Sequence, residues 1–105
     1  MFNNLMEREF RQALEADKSI VLIDVRTDGE HRMGHIPNSL HIDLFSSDFA
    51  KQIQALDKDK SYFLYCRSGA RSANVCSMMA QMGFKDLTNL FGGLFDWRGE
   101  IVTLV

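Results

Sequence analysis

The stretch that decides the fold is Tyr62-Phe63-Leu64-Tyr65-Cys66-Arg67-Ser68-Gly69-Ala70-Arg71, which leads into a helix-periodic segment from about Ser72 to Met82. Its first four residues form a short aromatic and aliphatic run, typical of a strand covered on both faces of a parallel sheet. Gly83 then supplies the glycine that commonly ends a helix. The stretch therefore predicts a buried strand, a tight loop and a helix, with Cys66 where the strand gives way to the loop.

The rest of the chain continues this alternation. The predicted strands span residues 20–23, 40–43, 62–65 and 86–90, and the predicted helices span 7–16, 28–34, 48–56 and 72–82, with a last helical turn after 92–93. Asn3 or Asn4 is expected to cap the first helix. Strands that alternate with helices predict an α/β fold: a central parallel sheet of about four to five strands with helices on both faces.

Size and composition fit a single domain and exclude several classes of function. The chain has 105 residues, of which 46% are hydrophobic and 25% charged, so we expect one domain over residues 1–105. The net charge is −2 and the basic residues are scattered, which argues against a nucleic-acid surface. No apolar run approaches the ~20 residues of a membrane span. Acidic residues near the N-terminus argue against a signal peptide, so we expect a cytoplasmic protein.

Cys66 is the candidate nucleophile. Binding and catalytic sites of parallel sheets lie at the carboxyl ends of the strands, where Cys66 is predicted to be. The N-terminus of the following helix lowers the pKa of a thiol and so favours the thiolate, which is the reactive form. Arg67 and Arg71 add positive charge, and Gly69 allows the loop to curl so that its N–H groups face the sulfur. A buried structural cysteine is the ordinary alternative, because free cysteines are among the most buried residues. The combination of glycine, arginines and strand-to-helix position favours the nucleophile.

Several blocks along the chain resemble the rhodanese family, specifically its single-domain sulfurtransferases. They are Ile23-Asp24-Val25-Arg26, Gly34-His35-Ile36-Pro37-Asn38-Ser39, the C-R-S-G-x-R loop from Cys66 to Arg71, Ser72-Ala73, Gly83-Phe84, Gly92-Gly93 and Trp97. Asn38 stands where the family usually has glycine, and asparagine tolerates left-handed backbone angles well. Because the blocks follow in family order over nearly the whole chain, the resemblance is far more specific than any one motif.

The resemblance implies a sulfurtransferase that needs no cofactor and no metal. Cys66 takes a sulfane sulfur from a donor, becomes a persulfide and passes the sulfur to an acceptor. The implied active-site loop consists of Arg67, Ser68, Gly69, Ala70 and Arg71, whose N–H groups stabilise the sulfur anions. Arg67 and Arg71 are candidates for holding an anionic donor, and Arg71 is equally a candidate for bracing the loop.

The implied partners are a small sulfur-donor anion and a thiol or cyanide acceptor. Thiosulfate and a protein or low-molecular-weight persulfide are both compatible as donors. Thioredoxin or another sulfur-carrier protein is a further candidate acceptor, because a single domain leaves its loop open to protein partners. The residues do not choose among these donors and acceptors.

Two alternative functions remain at this point. A Cdc25-type phosphatase or arsenate reductase has one residue more between its cysteine and arginine than the four found here, which are Arg67, Ser68, Gly69 and Ala70. One residue spans at most ~3.3–3.6 Å, so the shorter loop encloses a smaller cradle that suits a single sulfur. A non-catalytic rhodanese-like binding module often lacks the loop cysteine, and the presence of Cys66 therefore favours an enzyme.

Other charged and imidazole side chains have structural interpretations. We expect Asp24 and Arg26 to tie the end of a strand to the next helix, with Glu30 as the partner of Arg26 and Asp24 near the rim of the pocket. His31 and His35 lie four residues apart, a spacing that can bind zinc on a helix. Gly34 and Pro37 interrupt that helix, so we do not expect a metal site.

The remaining apolar residues are expected to pack. Cys76 is predicted to lie with Ala73 and Ala80 on the packed face of its helix. Core and pocket-wall positions are predicted for Phe84, Phe91, Phe95 and Trp97. Residues 101–105 are apolar and β-prone, and they are expected to pack on their own domain or on a neighbour.

Overall fold

Strands and helices alternate along the computed structural model, which describes residues 1–104. The strands are β1 Asn3–Leu5, β2 Val21–Asp24, β3 Leu40–His41, β4 Ser61–Tyr65 and β5 Asp86–Leu90. The helices are α1 Glu7–Ala16, α2 Asp28–Met33, α3 Phe49–Gln54, α4 Ala70–Gln81 and α5 Gly93–Asp96. Within residues 1–104, no helix has both the length and the apolar character required to cross a membrane.

The strands form one parallel sheet of five strands in the order β1-β5-β4-β2-β3. The central pair, β2 and β4, is in register from Val21 opposite Tyr62 to Asp24 opposite Tyr65. Their carboxyl ends therefore lie side by side, which places the segments after Asp24 and Tyr65 at the same edge. The predicted α/β class and parallel sheet are confirmed.

Helices cover both faces of the sheet because the central strands are apolar on both sides. On one face, Tyr62 and Leu64 of β4 lie in a buried cluster with residues of α3 and α4. On the other face, Phe63 belongs to a cluster with Phe10 of α1, and their ring centroids are 4.8 Å apart. The alternation of side chains along a strand divides one continuous apolar run between two cores.

The segment before α1 differs from the prediction. Asn3 and Asn4 do not cap α1; they belong to β1, which pairs in parallel with β5. The residue at the start of α1 is instead Met6, which makes no side-chain capping bond. Three residues are too few to show the hydrophobic alternation that predicts a strand. The pairing of β1 with the distant β5 is what makes this segment a strand.

The buried face of α4 also differs in part from the prediction. Cys76 is fully buried, as expected, but its companions on that face are Ser72, Val75 and Met79. Ala73 and Ala80 are only partly buried. The face that packs is therefore rotated slightly, which turns the side chain of Ser72 into the interior next to the loop.

The last described residues pack on their own domain. The backbones of His35 and Val102 exchange two hydrogen bonds of 2.9 Å, and the N–H of Leu104 donates to the carbonyl of Arg32 at 3.0 Å. The segment therefore lies beside the end of α2. The prediction for this tail extends to Val105, which lies outside the described residues.

Candidate active site

The loop with Cys66 joins the end of β4 to the start of α4. Gly69 precedes α4 with a φ of +97°, the left-handed region that glycine tolerates. A Cβ atom at this position would lie 3.0 Å from the carbonyl of Leu90 and 3.0 Å from the nitrogen of Gly92. Glycine is therefore required both for the turn and for the close approach of the segment after β5.

The sulfur of Cys66 is surrounded by hydrogen-bond donors. The N–H of Gly69 donates to Sγ at 3.1 Å, and Ser72 donates through its N–H at 3.4 Å and through its hydroxyl at 3.3 Å. Backbone donors at the start of the helix were predicted from the loop sequence. The hydroxyl of Ser72 was not predicted as part of the site, and its place in a C-R-S-G-x-R-S run was the available signal.

These donors determine the acidity of the thiol. Burial of Cys66 raises the pKa, but hydrogen bonds from Ser72, Gly69 and the N–H of Ser68 outweigh this effect and leave the pKa below its usual value. A hydrogen bond that is stronger to the thiolate than to the thiol favours the charged form. The loop therefore holds a sulfur that is both buried and disposed to ionise.

The start of α5 holds the outer side of the same loop. The N–H of Leu94 donates to the carbonyl of Cys66 at 2.9 Å, and the N–H of Phe95 donates to the carbonyl of Arg67 at 3.1 Å. A Cβ atom on Gly93 would lie 2.5 Å from the Arg67 carbonyl oxygen. The Gly92-Gly93 pair noted in the sequence thus allows a second helix to approach the loop backbone.

Arg71 braces the loop. Its guanidinium makes two bonds to Glu30 of α2, at 2.8 and 3.0 Å. Hydrogen bonds from Arg71 lower the pKa of Glu30 to about 2. Glu30 also forms a capping box with Thr27 at the start of α2. The contact with Glu30 is the one that the bracing role of Arg71 requires, and the predicted pairing of Glu30 with Arg26 is wrong.

Arg26 pairs instead with Asp24, two residues earlier. Its Nε and Nη2 atoms donate to the carboxylate at 3.0 and 2.8 Å, and the hydroxyl of Tyr65 donates to the same group at 3.2 Å. Asp24 is fully buried, so its predicted place at the pocket rim is also wrong. The side chains of Asp24 and Arg26 satisfy each other inside the domain, which fits the structural role expected for them.

Three imidazole rings lie in one stack beside this ion pair. The ring of His31 is 3.8 Å from that of His35 and 4.2 Å from that of His41, measured between centroids. His31 faces Asp24 through Nδ1 at 2.8 Å, while burial lowers the pKa of His31. Across residues 1–104, no group of three or more His, Cys, Asp or Glu side chains is arranged to hold a metal ion.

A shallow groove of about 580 Å³ lies beside the loop. Its walls include Met33, Arg67, Leu94 and Phe95, and the guanidinium of Arg67 lies 5.2 Å from the centre of the Phe95 ring. No carboxylate in residues 1–104 lies within ion-pair distance of Arg67, which is exposed. Phe95 is a pocket wall as predicted, whereas Phe91 is exposed and belongs to neither core.

This architecture is that of a known family. Residues 6–100 match the model of the rhodanese-like domain. The chain is 44% identical over 90 residues to YtwF of Bacillus subtilis, which is named a sulfurtransferase, and the match covers 86% of this chain and 84% of YtwF. It is 32% identical over 105 residues to a sulfurtransferase of Allochromatium vinosum, covering 100% of this chain and 96% of that protein.

A solved structure agrees with these relatives. The crystal structure of a rhodanese-like domain protein from Staphylococcus aureus superposes with a TM-score of 0.82 at 30% identity, covering 94% of each chain. The chain therefore belongs to the rhodanese-like family. Its homologues named sulfurtransferase support sulfur transfer of the rhodanese type.

Proposed function

We propose that the protein is a sulfurtransferase that works through a persulfide on Cys66. One observation carries this proposal: three donors on Gly69 and Ser72 point at Sγ from 3.1 to 3.4 Å. Such a cradle stabilises a sulfur anion whether it is the attacking thiolate or the thiolate released at the end of the cycle. It is formed by this chain alone and requires neither a metal nor a cofactor.

The first step loads the sulfur. The Cys66 thiolate attacks the outer sulfur of thiosulfate, a bond forms between the two sulfurs, and sulfite leaves with the electron pair of the broken S–S bond. A persulfide or polysulfide donor reacts in the same way and releases a thiolate or a shorter polysulfide. The charges balance without an outside oxidant or reductant.

The second step releases the sulfur. A nucleophilic acceptor, cyanide or a thiolate, attacks the outer sulfur of the persulfide and becomes thiocyanate or a new persulfide. The electron pair of the broken S–S bond returns to Cys66, which is again a thiolate. Thioredoxin or another sulfur-carrier protein is a candidate acceptor, since the groove beside the loop has exposed apolar walls at Met33 and Phe95.

The loop residues have different roles in this scheme. Arg67 is the cation available to guide an anionic donor, because it is exposed and has no carboxylate partner in residues 1–104. Arg71 holds the loop through Glu30. Ser68, Gly69 and Ala70 act through their backbone. Because Cys66 is fully buried, a donor reaches Sγ only after atoms that cover it move.

The test is the intact mass of the protein before and after incubation with thiosulfate. We expect a gain of about 32 Da, one sulfur atom, which is lost when cyanide is added. Cys66→Ser should show no gain. Cys76→Ser is the matched control and should load normally, because the donors on Gly69 and Ser72 bond to the sulfur of Cys66 and, within residues 1–104, none of them bonds to Cys76.

One result would overturn the proposal. If neither thiosulfate nor a polysulfide leaves an adduct on a Cys66 that is alkylated readily, the sulfurtransferase function is wrong. Phosphate ester and arsenate substrates would then be assayed next.

A further inference from the structure

A line of polar side chains runs from Cys66 into the interior behind the loop. The hydroxyl oxygen of Ser72 lies 3.3 Å from Sγ and 2.6 Å from Oδ1 of Asn89. Ser72 is fully buried and Asn89 is 2% exposed. Ser72 and Asn89 are therefore shielded from bulk solvent, and their polar hydrogens need acceptors within the protein.

The orientation of Asn89 follows from its other contacts. Its Nδ2 donates to the carbonyl of Gly69 at 3.2 Å and to Oδ1 of Asn4 at 2.9 Å. A backbone carbonyl only accepts hydrogen bonds, so the amide nitrogen must face Gly69 and Oδ1 must face Ser72. Asn89 is thereby held as an acceptor for the hydroxyl of Ser72.

Ser72 has one hydroxyl hydrogen and two acceptors. When Cys66 is a thiol or a persulfide, Sγ carries no full charge, and the neutral oxygen of Asn89 at the shorter distance is the better acceptor. When Cys66 is a thiolate, the charged sulfur attracts the hydrogen, because hydrogen bonds to ions are stronger than those between neutral groups. The hydroxyl thus has two positions that depend on the chemical state of the sulfur.

We infer that Ser72 is a two-position donor, oriented by Asn89, which turns towards Sγ as the persulfide bond breaks and stabilises the departing Cys66 thiolate. This inference rests on the proposed function. In the step concerned, an acceptor thiolate forms a bond to the outer sulfur, the old S–S bond breaks, and its electron pair moves to Sγ. Ser72 keeps its proton throughout and donates only a hydrogen bond.

The charged and titratable groups around the loop leave this role to a neutral donor. On α4, Arg71 is paired with Glu30 of α2, and burial raises the pKa of Cys76 to about 12, so it stays a thiol. At the end of β2, Asp24 and Arg26 neutralise each other. On the loop itself, Arg67 extends over the Phe95 ring.

The first experiment compares Ser72→Ala with the unaltered protein, using iodoacetamide alkylation of Cys66 as a function of pH. Removing the hydroxyl is expected to raise the alkylation pKa by about one unit. Alanine favours a helix, so the variant is expected to fold. Ser72→Thr, which keeps a hydroxyl, should restore the original profile, and Ser77→Ala on the exposed face of α4 is the matched control.

A kinetic measurement separates the two half-reactions. The comparison is made at a pH above the pKa of Cys66 in both the unaltered protein and the variant. There, Ser72→Ala should load sulfur from thiosulfate at the normal rate or faster, because a more basic thiolate is the better nucleophile. Release to cyanide should be about fivefold slower, because a thiolate with a higher pKa is a poorer leaving group. A residue with a merely structural role would slow both steps together.

The second experiment asks whether Asn89 acts through Ser72. Asn89→Leu removes the competing acceptor, so the alkylation pKa should fall by about half a unit when Ser72 is present and stay unchanged in the Ser72→Ala background. An unchanged pKa in Ser72→Ala overturns the inference. So does an Asn89→Leu shift of equal size in both backgrounds. If Asn89→Leu does not fold by near-UV circular dichroism, Ser72→Ala decides alone.

Alkylation requires no sulfur donor. Absence of a persulfide in the unaltered protein would therefore overturn the proposed function, and an unshifted thiol pKa in Ser72→Ala would overturn this inference. The two measurements therefore distinguish failure of the proposed function from failure of the role inferred for Ser72.

Discussion

The loop that carries Cys66 and the buried face of α4 that carries Cys76 shift the pKa of a cysteine in opposite directions. Both cysteines are fully buried. Donors from Gly69 and Ser72 surround the first sulfur and its pKa is lowered despite burial. The second lies among apolar side chains, where burial raises its pKa to about 12. Both sulfurs are buried, so the difference in acidity comes from the donors that face Cys66 and from the repulsion that a charged Cys66 exerts on Cys76.

The largest expected effect tests this contrast directly. In the native protein at pH 7, iodoacetamide should modify Cys66 while Cys76 stays unmodified, because a thiol with a pKa of about 12 is ionised in only about one molecule in 10⁵. Peptide mass spectrometry after digestion measures the label at each site. In denaturant, both cysteines should react alike. Equal labelling in the native state would contradict the contrast.

A second prediction makes the surroundings of Cys66 more like those of Cys76. In Gly93→Ala, the new Cβ would lie 2.5 Å from the carbonyl oxygen of Arg67 and 2.7 Å from that of Cys66, so the loop must shift. We expect a loss of about 2 kcal/mol in the free energy of unfolding. The alkylation pKa of Cys66 should also rise. Urea unfolding and pH-dependent alkylation are the measurements.

The matched control for this change is Gly29→Ala. Nothing lies within 4 Å of a Cβ at Gly29, which is inside α2. Alanine there should raise the free energy of unfolding by about 0.5–1 kcal/mol and leave Cys66 unaffected. If Gly93→Ala behaves like this control, α5 does not constrain the loop.

The smallest effect concerns the brace between Arg71 and Glu30. The pKa of Glu30 is lowered from 4.5 to about 2, so the stability it contributes is complete above pH 4.5 and is lost as the pH falls towards 2. Glu30→Gln should cost about 1 kcal/mol at neutral pH, since the pair is partly exposed. Between pH 4.5 and 2, the free energy of unfolding of Glu30→Gln should depend less on pH than that of the unaltered protein.

Thermal or urea unfolding at a series of pH values measures this effect. Asp28→Asn is the control, because it removes a carboxylate from an exposed pair with Arg32 on the same helix. It should leave the acidic limb unchanged. If the curves of Glu30→Gln and the unaltered protein run parallel from neutral pH down to pH 2, the ion pair does not brace the loop.

The features that were predicted from sequence are those with a local cause. The apolar run 62–65 and the glycine three residues after Cys66 specify a strand, a loop and a helix without reference to the rest of the chain. Helix α1 lies over Glu7–Ala16, as its periodicity predicted. Asn38 has a φ of +68°, the left-handed conformation that its place in the family motif implied.

The features that were missed depend on contacts between distant residues. Strand β1 exists because Asn3 meets Thr88 of β5, and nothing in a segment of two asparagines and a leucine indicates that partner. Glu30 forms its ion pair with Arg71, 41 residues away, and not with the nearer Arg26, because Arg26 is already paired with Asp24. Local spacing made Arg26 the reasonable partner, and only the folded arrangement shows which arginine remains available.

The sequence by itself determined the α/β fold, the parallel sheet and the position of Cys66 between a strand and a helix, since these follow from the order of side chains along short segments. The tertiary structure decided which groups meet the sulfur and its loop. Ser72 turns inwards, Asn89 faces it from β5, and Glu30 reaches Arg71 across from α2. The physical reason is that hydrogen bonds and ion pairs act over a few ångströms in space, whatever the separation of their partners along the chain.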